Sequence, residues 1–229
     1  MISLASEALL MLGVFGLYLL DAAMLLYADE VVLTRGRKGW SASIGAGYML
    51  GGRFPCLPAP FAPWRATFRE SWDATLQPDA TAPAEAFRRA LLPVQCASAV
   101  LSGLLFVVLP SALFLHATHM QLLILIATVY CTSATCIAYT IRRRHILGLS
   151  GRAVAALAFD VLACPPFAVN IARKISLARG LGADPRAFVC RVVPSSNAAR
   201  LLARADERRH GCPGLEPSTE ATSIAGPHS

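Results

Sequence analysis

The sequence predicts an all-α membrane protein with three transmembrane helices, a fourth hydrophobic segment that is broken, and a small β-rich cytoplasmic element between helices 1 and 2. Three observations support this fold class. Hydrophobic residues make up 55% of the chain and charged residues only 15%, whereas soluble domains contain about 25% charged residues. The apolar residues are concentrated in four runs. The basic residues lie between and after those runs, as the positive-inside rule describes for membrane proteins.

Residues 1–27 are predicted to form transmembrane helix 1, since an apolar run extends from residue 4 to residue 27. At about 1.5 Å per residue, this run matches the roughly 30 Å hydrocarbon core of a bilayer. No basic segment precedes it, and it is longer than the apolar part of a signal peptide, so we expect the helix to be retained. Asp21 lies near its end. A carboxylate there is expected to form an intramembrane ion pair, for example with Arg89 or Arg142.

Residues 28–90 are predicted to form the cytoplasmic β-rich element and a linker. Two β-prone stretches, Val31–Leu33 and Trp40–Ile44, flank a polar turn that contains glycine, which predicts a hairpin. The alternating stretch Trp64–Trp72 favours one more strand. Between them, four prolines exclude a helix and any central strand, at positions 55, 58, 60 and 63. All three tryptophans of the chain lie in this element, which places it at the headgroup layer.

Residues 91–172 are predicted to contain helices 2 and 3 and the broken fourth segment. The apolar runs Leu91–Leu115 and Met120–Ile141 are joined by a very short connection, which predicts an antiparallel hairpin. The fourth run, residues 153–172, contains the pair Pro165–Pro166, which interrupts helical hydrogen bonding. Three placements stay open for it: a re-entrant segment, an interfacial segment, or a broken span packed against the other helices.

Residues 173–209 are predicted to be a basic amphipathic cytoplasmic region, and residues 210–229 a disordered tail. All 21 basic residues fall on the cytoplasmic side only if the N-terminus is outside and the fourth run does not cross. We therefore expect an inner-membrane protein with the N-terminus outside and with the basic loops and the C-terminus in the cytoplasm.

The densest cluster of unusual residues lies in the fourth run and just after it. It combines an acid, a thiol, two prolines, an amide and two cations: Asp160, Cys164, Pro165, Pro166, Asn170, Arg173 and Lys174. As a functional site it would bind a protein partner, or an anionic lipid headgroup through its two cations. The alternative interpretation is a structural bend whose freed carbonyl groups are capped by Asn170.

The sequence predicts no catalytic, cofactor-binding or metal site. It contains no P-loop, dinucleotide fingerprint or Ser-His-Asp signature. The seven cysteines include no CxxC pair, and those inside the apolar runs are interpreted as small hydrophobic residues. The basic patches lack the interleaved aromatic residues of a nucleic-acid interface, so nucleic acid is not an expected partner. The expected partners are the lipid bilayer with its anionic headgroups, and either a second protein or further copies of this chain.

Two parts of the chain carry a resemblance. The first runs from Asp29–Leu33 through Gly51–Pro60 to Phe68–Trp72, and the second is Cys-Pro-Pro-Phe-Ala-Val-Asn at 164–170. Together they resemble an uncharacterised family of bacterial multi-pass inner-membrane proteins. The resemblance implies a bacterial inner-membrane location. It implies no activity and no site residues.

These observations favour a non-catalytic accessory or scaffold subunit of a membrane complex. One alternative is a small oligomeric transporter or channel component, in which Asp21 and Asp160 would line the path. The other is a membrane enzyme acting on lipid or thiol substrates, with Asp160 and Cys164 as its reactive groups.

Overall fold

The computed structural model describes residues 2–36, 39–72, 81–115, 118–181 and 184–211. Of the predicted disordered tail, residues 212–229 lie outside these ranges. The strands are β1 (Met24–Leu26), β2 (Glu30–Gly36), β3 (Gly39–Ser43), β4 (Phe54–Cys56) and β5 (Thr67–Ser71). The helices are α1 (Ile2–Ala22), α2 (Thr81–Gly103), α3 (Leu109–Phe114), α4 (His119–Arg142), α5 (Arg144–Leu147), α6 (Gly151–Ala163), α7 (Pro165–Ala168), α8 (Ile171–Arg179), α9 (Pro185–Val192) and α10 (Ser195–Gly211).

The strands form two antiparallel sheets. In the larger sheet β2 lies between β3 and β5, and in the smaller sheet β1 pairs with β4. β2 and β3 form the hairpin expected around the glycine-containing turn, with Arg35 opposite Trp40. Pro55 lies in β4 opposite Leu25. A proline is tolerated there because a strand of a two-stranded sheet has a free edge that needs no backbone donor.

The prediction of an all-α protein with three transmembrane helices and a fourth broken segment is wrong. The structure contains five strands, and two helices within the described ranges are long and apolar enough to cross a membrane, not three or four. They are Ala86–Phe114, which joins most of α2 to α3, and His119–Arg142, which is α4.

The predicted transmembrane helix 1 extended to residue 27, which is too far, because residues near its predicted end form strand β1. Ala22 ends α1, and Met24–Leu26 then pairs with β4 instead of continuing the helix. The uncharged stretch of α1, between Glu7 and Asp21, is only 13 residues long. A helix of that length extends about 20 Å, which is less than the roughly 30 Å hydrocarbon core.

The fourth apolar run is divided among three helices and turns back on itself. α6 ends at Ala163, and Pro165 begins the single turn of α7. α8 then returns, so that the Arg179 Nη1 at its end donates to the Ile146 carbonyl oxygen, 3.4 Å away, ahead of α6. The start and the end of this segment therefore lie side by side. None of its three helices is long enough to be a span by itself.

A π-helical turn, Leu104–Val108, joins α2 to α3. Pro110 follows this turn, near the start of α3. Because proline lacks an N–H group, an α-helix loses one hydrogen bond at that point. The Leu109 N–H donates to the Leu104 carbonyl oxygen in the π pattern, and the helix continues to Phe114.

The sheet and the helices share one hydrophobic core. Val31 and Leu33 of β2 are fully buried in the large core that also contains the buried faces of the helices. Val32, between them, faces a smaller cluster with Leu26 and Phe54. β2 is thus buried on both faces, as expected of a central strand.

Helix α8 connects the sheet to the two long apolar helices. The Ser176 hydroxyl oxygen accepts the backbone N–H of Thr67 in β5 at 2.9 Å, and α8 also packs on α2. Seven residues before Ser176, the carbonyl oxygen of Val169 accepts a hydrogen bond from the Ser98 hydroxyl of α2. Both groups of this second bond are completely buried.

Replacing Ser98 with Ala should therefore destabilise the protein. The Val169 carbonyl would remain buried without its donor, which costs about 1–3 kcal/mol. Ser111→Ala is the matched control, because the Ser111 hydroxyl is exposed and bonds only within its own helix. Denaturant unfolding in detergent micelles measures both variants. An equal loss of stability in the two would show that the Ser98 bond does not hold the returning segment.

Candidate functional site: a buried ionic cluster

A cluster of charged and polar side chains lies where the end of α1 meets the beginning of α8. Asp21 is in the last turn of α1, and Asn170, Arg173 and Lys174 follow one another at the start of α8. The spacings of three and four residues place these three side chains on one face of the helix. Asp160, at the end of α6, reaches the same cluster. We call these five residues the ionic cluster.

Asp21 has two partners on α8. The Asn170 Nδ2 group donates to Asp21 Oδ2 at 2.9 Å, and Lys174 Nζ lies 2.8 Å from Asp21 Oδ1. Lys174 also lies 3.1 Å from Asp160 Oδ2. The Asp21 side chain is 10% exposed and that of Asp160 46% exposed, so the cluster extends from the interior to the surface.

Lys174, not either arginine that the sequence suggested, is the partner that the structure places beside Asp21. Asp21 and Lys174 are 153 positions apart in the sequence, so no local sequence pattern indicated this ion pair. Because Lys174 belongs to the predicted partner or lipid site, the two predicted sites are in fact one cluster.

Arg173 is the most deeply buried charged residue in the described part of the chain, with 1% of its surface exposed. Its Nη2 donates to the Ala59 carbonyl oxygen at 3.1 Å, and its Nη1 to the Ala22 carbonyl oxygen at 3.5 Å. Burial lowers the pKa of Arg173, while the nearby Tyr18 and Asp21 act in the opposite direction. The guanidinium therefore joins the end of α1 to the loop before β5.

The loop that Arg173 holds has a strained backbone. Ala59 has a φ of +44°, in the left-handed region, which costs a residue with a Cβ about 1–2 kcal/mol. The carbonyl of Ala59 accepts from Arg173, and the next carbonyl, that of Pro60, accepts from the Tyr18 hydroxyl. Two buried side chains thus fix two successive carbonyl groups in this conformation.

The remaining members of the predicted site shape the bend. The Cys164 N–H donates to the Asp160 carbonyl oxygen at 3.1 Å and closes α6, and the Cys164 carbonyl oxygen accepts the Phe167 N–H. Pro165 and Pro166 form the first turn of α7, where a helix needs no N–H donors. Cys164 is half-buried and Pro166 is buried. These residues define the path of the chain into the cluster.

The cluster is electrostatically balanced. It contains two carboxylates and two cations, and each carboxylate contacts Lys174. Arg173 is too deeply buried to bind a lipid phosphate from outside. Across the described ranges, no three metal-ligating side chains come together. The arrangement can hold three chain segments together, and we interpret it as a structural clamp.

Sequence reasoning missed Tyr18 and the Ala59–Pro60 loop. Tyr18 precedes Asp21 by three residues, so both side chains face the same side of α1. That spacing of two polar groups in an apolar helix was a usable signal. The loop gave no comparable signal, because its role depends on two backbone carbonyl groups.

Replacing Asp21 with Asn should destabilise the protein far more than replacing Asp160 with Asn. Asp21→Asn leaves Lys174 and Arg173 without their buried counter-ion, which costs about 3 kcal/mol. Asp160 is half exposed, and a surface pair is worth less than about 1 kcal/mol. Thermal unfolding in detergent measures both variants. Equal losses would contradict the buried role of Asp21.

Comparisons with protein-family models, with curated proteins and with solved structures give no match to this chain. The resemblance to bacterial multi-pass inner-membrane proteins therefore stays a prediction, and function has to be inferred from the geometry.

Proposed function

We propose that this chain is a non-catalytic accessory or scaffold subunit of a complex in the bacterial inner membrane. The observation that supports the proposal most directly is the shared core. Two helices suited to cross a membrane, a three-stranded sheet and the returning segment pack as one unit. Such a unit holds a folded surface at a fixed position against the bilayer.

The two long helices have the surface of membrane spans. The apolar windows of Ala86–Phe114 and His119–Arg142 have mean hydropathies of 2.1 and 1.9, and only 22% of each window is buried. In a soluble protein, apolar helices of this length are buried in the core. Their uncovered apolar side chains need lipid or a partner, as at Leu92, Val100, Val107, Leu123, Ile124 and Ile126.

The charges at the ends of this helical hairpin indicate its orientation. Arg142 ends α4, and Arg143 and Arg144 follow it, whereas residues 115–119 contain no Lys or Arg. The start of α2 lies at the arginine end, since the Tyr139 hydroxyl near the end of α4 donates to the Ala90 carbonyl oxygen at 3.1 Å. The sheet lies at the same end, because the Phe68 ring of β5 lies 6.2 Å from the Phe87 ring of α2. By the positive-inside rule this end is cytoplasmic.

The C-terminal helices extend the cytoplasmic surface. The Arg208 Nη2 in α10 donates to the Ala46 carbonyl oxygen at 2.6 Å, and Arg186 of α9 lies 2.9 Å from Asp206 of α10. Arg200 and Arg204 are exposed on α10. We infer that a partner subunit docks on this anchored, basic surface.

Reporter fusions test the orientation. Fusions after residues 80, 147 and 205 should report the cytoplasm, and a fusion after residue 118 should report the periplasm. The physical reason is that the arginines after α4 resist export. A periplasmic signal after residue 147 would invert the proposal, and a cytoplasmic signal after residue 118 would show that the hairpin does not cross.

Purification in mild detergent tests the scaffold function. Size-exclusion chromatography with light scattering and mass spectrometry should show a stoichiometric complex with a second protein. Replacing Arg200 and Arg204 with Glu should release that protein, while Arg143→Glu/Arg144→Glu at the end of the hairpin should not. A symmetric homo-oligomer without a partner would favour a transporter or channel component instead, and a lone monomer would contradict both functions.

A further inference from the structure

A second feature, separate from the ionic cluster, is a cavity of about 550 Å³ between the larger sheet, the start of α2 and the connection from α8 to α9. We call it the basic cavity. Its lining combines aromatic, aliphatic and arginine side chains from all three elements.

Four aromatic rings form one wall of the basic cavity. The Trp40 ring contacts the Phe188 ring edge to face at 4.9 Å and lies 5.8 Å from the Phe68 ring. The Phe68 ring lies 6.2 Å from the Phe87 ring. Because strand β3, strand β5, α9 and α2 each contribute one of these rings, the wall is fixed by the fold.

Four arginines surround this wall. Arg35 lies over Trp40 at 5.8 Å from the ring centre, and Arg179 lies over Phe87 at 4.2 Å. Arg88 and Arg89 are exposed beside Phe87. Among the lining residues that the structure describes, four are arginines and none is a carboxylate.

The acid Glu70 lies beside the cavity lining and contributes to the fold. The Glu70 Oε1 atom accepts the backbone N–H of Leu181 and lies against Gly180, at the end of α8. Burial lowers the pKa of Arg179, which shows that this part of the cavity is partly removed from water. Guanidinium groups in such a setting attract an anion more strongly than they would in open solvent.

The other end of the basic cavity is apolar. Leu91, Leu92 and Gln95 continue the lining along α2, inside the apolar span Ala86–Phe114. Leu92 is 59% exposed on the face that lipid would cover. The cavity thus has a cationic end towards the sheet and an apolar end that opens towards the bilayer.

We propose that the basic cavity binds one anionic phospholipid. The arginines contact its phosphate, and an acyl chain lies along Leu92. Guanidinium groups bind phosphate through paired hydrogen bonds, and the arginines in the lining favour a lipid of net negative charge. This site goes beyond the proposed scaffold function. Lipid binding is measured on the purified protein and does not depend on whether a partner subunit assembles with it.

Native mass spectrometry of the purified protein in detergent tests this site. The probes are phosphatidylglycerol, phosphatidylcholine of the same chain length, and inorganic phosphate. We expect retention of one phosphatidylglycerol and about tenfold weaker binding of phosphatidylcholine. Arg35→Gln/Arg88→Gln should lower phosphatidylglycerol affinity about tenfold, since two charge-assisted contacts are lost.

Arg144→Gln/Arg152→Gln is the matched control, because it removes two exposed charges near the same end of the hairpin but outside the cavity. It should bind phosphatidylglycerol like the unaltered protein. Equal binding of the two lipids, or an equal loss in the control, would overturn the site. If inorganic phosphate displaces the lipid at millimolar concentration and itself remains bound, the cavity is a phosphate site and the lipid assignment is wrong.

Discussion

The buried guanidinium of Arg173 is the constraint on which the arrangement of the chain depends. Removing a cation from water costs several kcal/mol unless partners replace the water. Here the replacements are the carbonyl oxygens of Ala22 and Ala59, with Asp21 close by to balance the charge. These partners exist only if α1 stops at Ala22 and the loop before β5 comes within reach. The position of one side chain therefore determines the end of a helix and the path of a loop.

The break in the fourth apolar run follows from the same requirement. Arg173 reaches α1 only if the chain turns back after α6, and Pro165 and Pro166 permit that turn without leaving helical N–H donors unpaired. The buried bond from Ser98 to Val169 fixes the turn against α2. Lys174 and Asn170 then meet Asp21 on the same face of α8. Packing explains the presence of the unusual residues of this run.

Elements that depend on local pattern were predictable from the sequence. The hairpin of two apolar helices follows from hydropathy and a short connection, and the β2–β3 hairpin from a glycine-containing turn. The pairing of β1 with β4 was not predictable, because Met24–Leu26 continues an apolar run and its partner contains Pro55. Its stability comes from a contact about 30 residues away, which no window of the sequence reveals.

Only part of the candidate site was predictable, because its contacts also join residues that are far apart in the sequence. Asp160, Asn170, Arg173 and Lys174 stood out because polar groups are rare in apolar segments. Asp21, which contacts Asn170 and Lys174, is 149 residues away from Asn170 in the sequence. The burial of Arg173 could not be deduced from its neighbours in sequence. A cation at the end of an apolar run is more often solvated, and only the tertiary fold removes this one from water.

Hydrogen–deuterium exchange of the Arg173→Gln variant tests the central claim most directly. Backbone amides report local opening where stabilising contacts are lost. We expect faster exchange in peptides covering residues 18–28 and 54–62. The α2–α4 hairpin should be unchanged, and an Arg152→Gln control should exchange like the unaltered protein. Unchanged protection of both segments in Arg173→Gln would contradict the role of Arg173 as the residue that holds α1, the loop and α8 together.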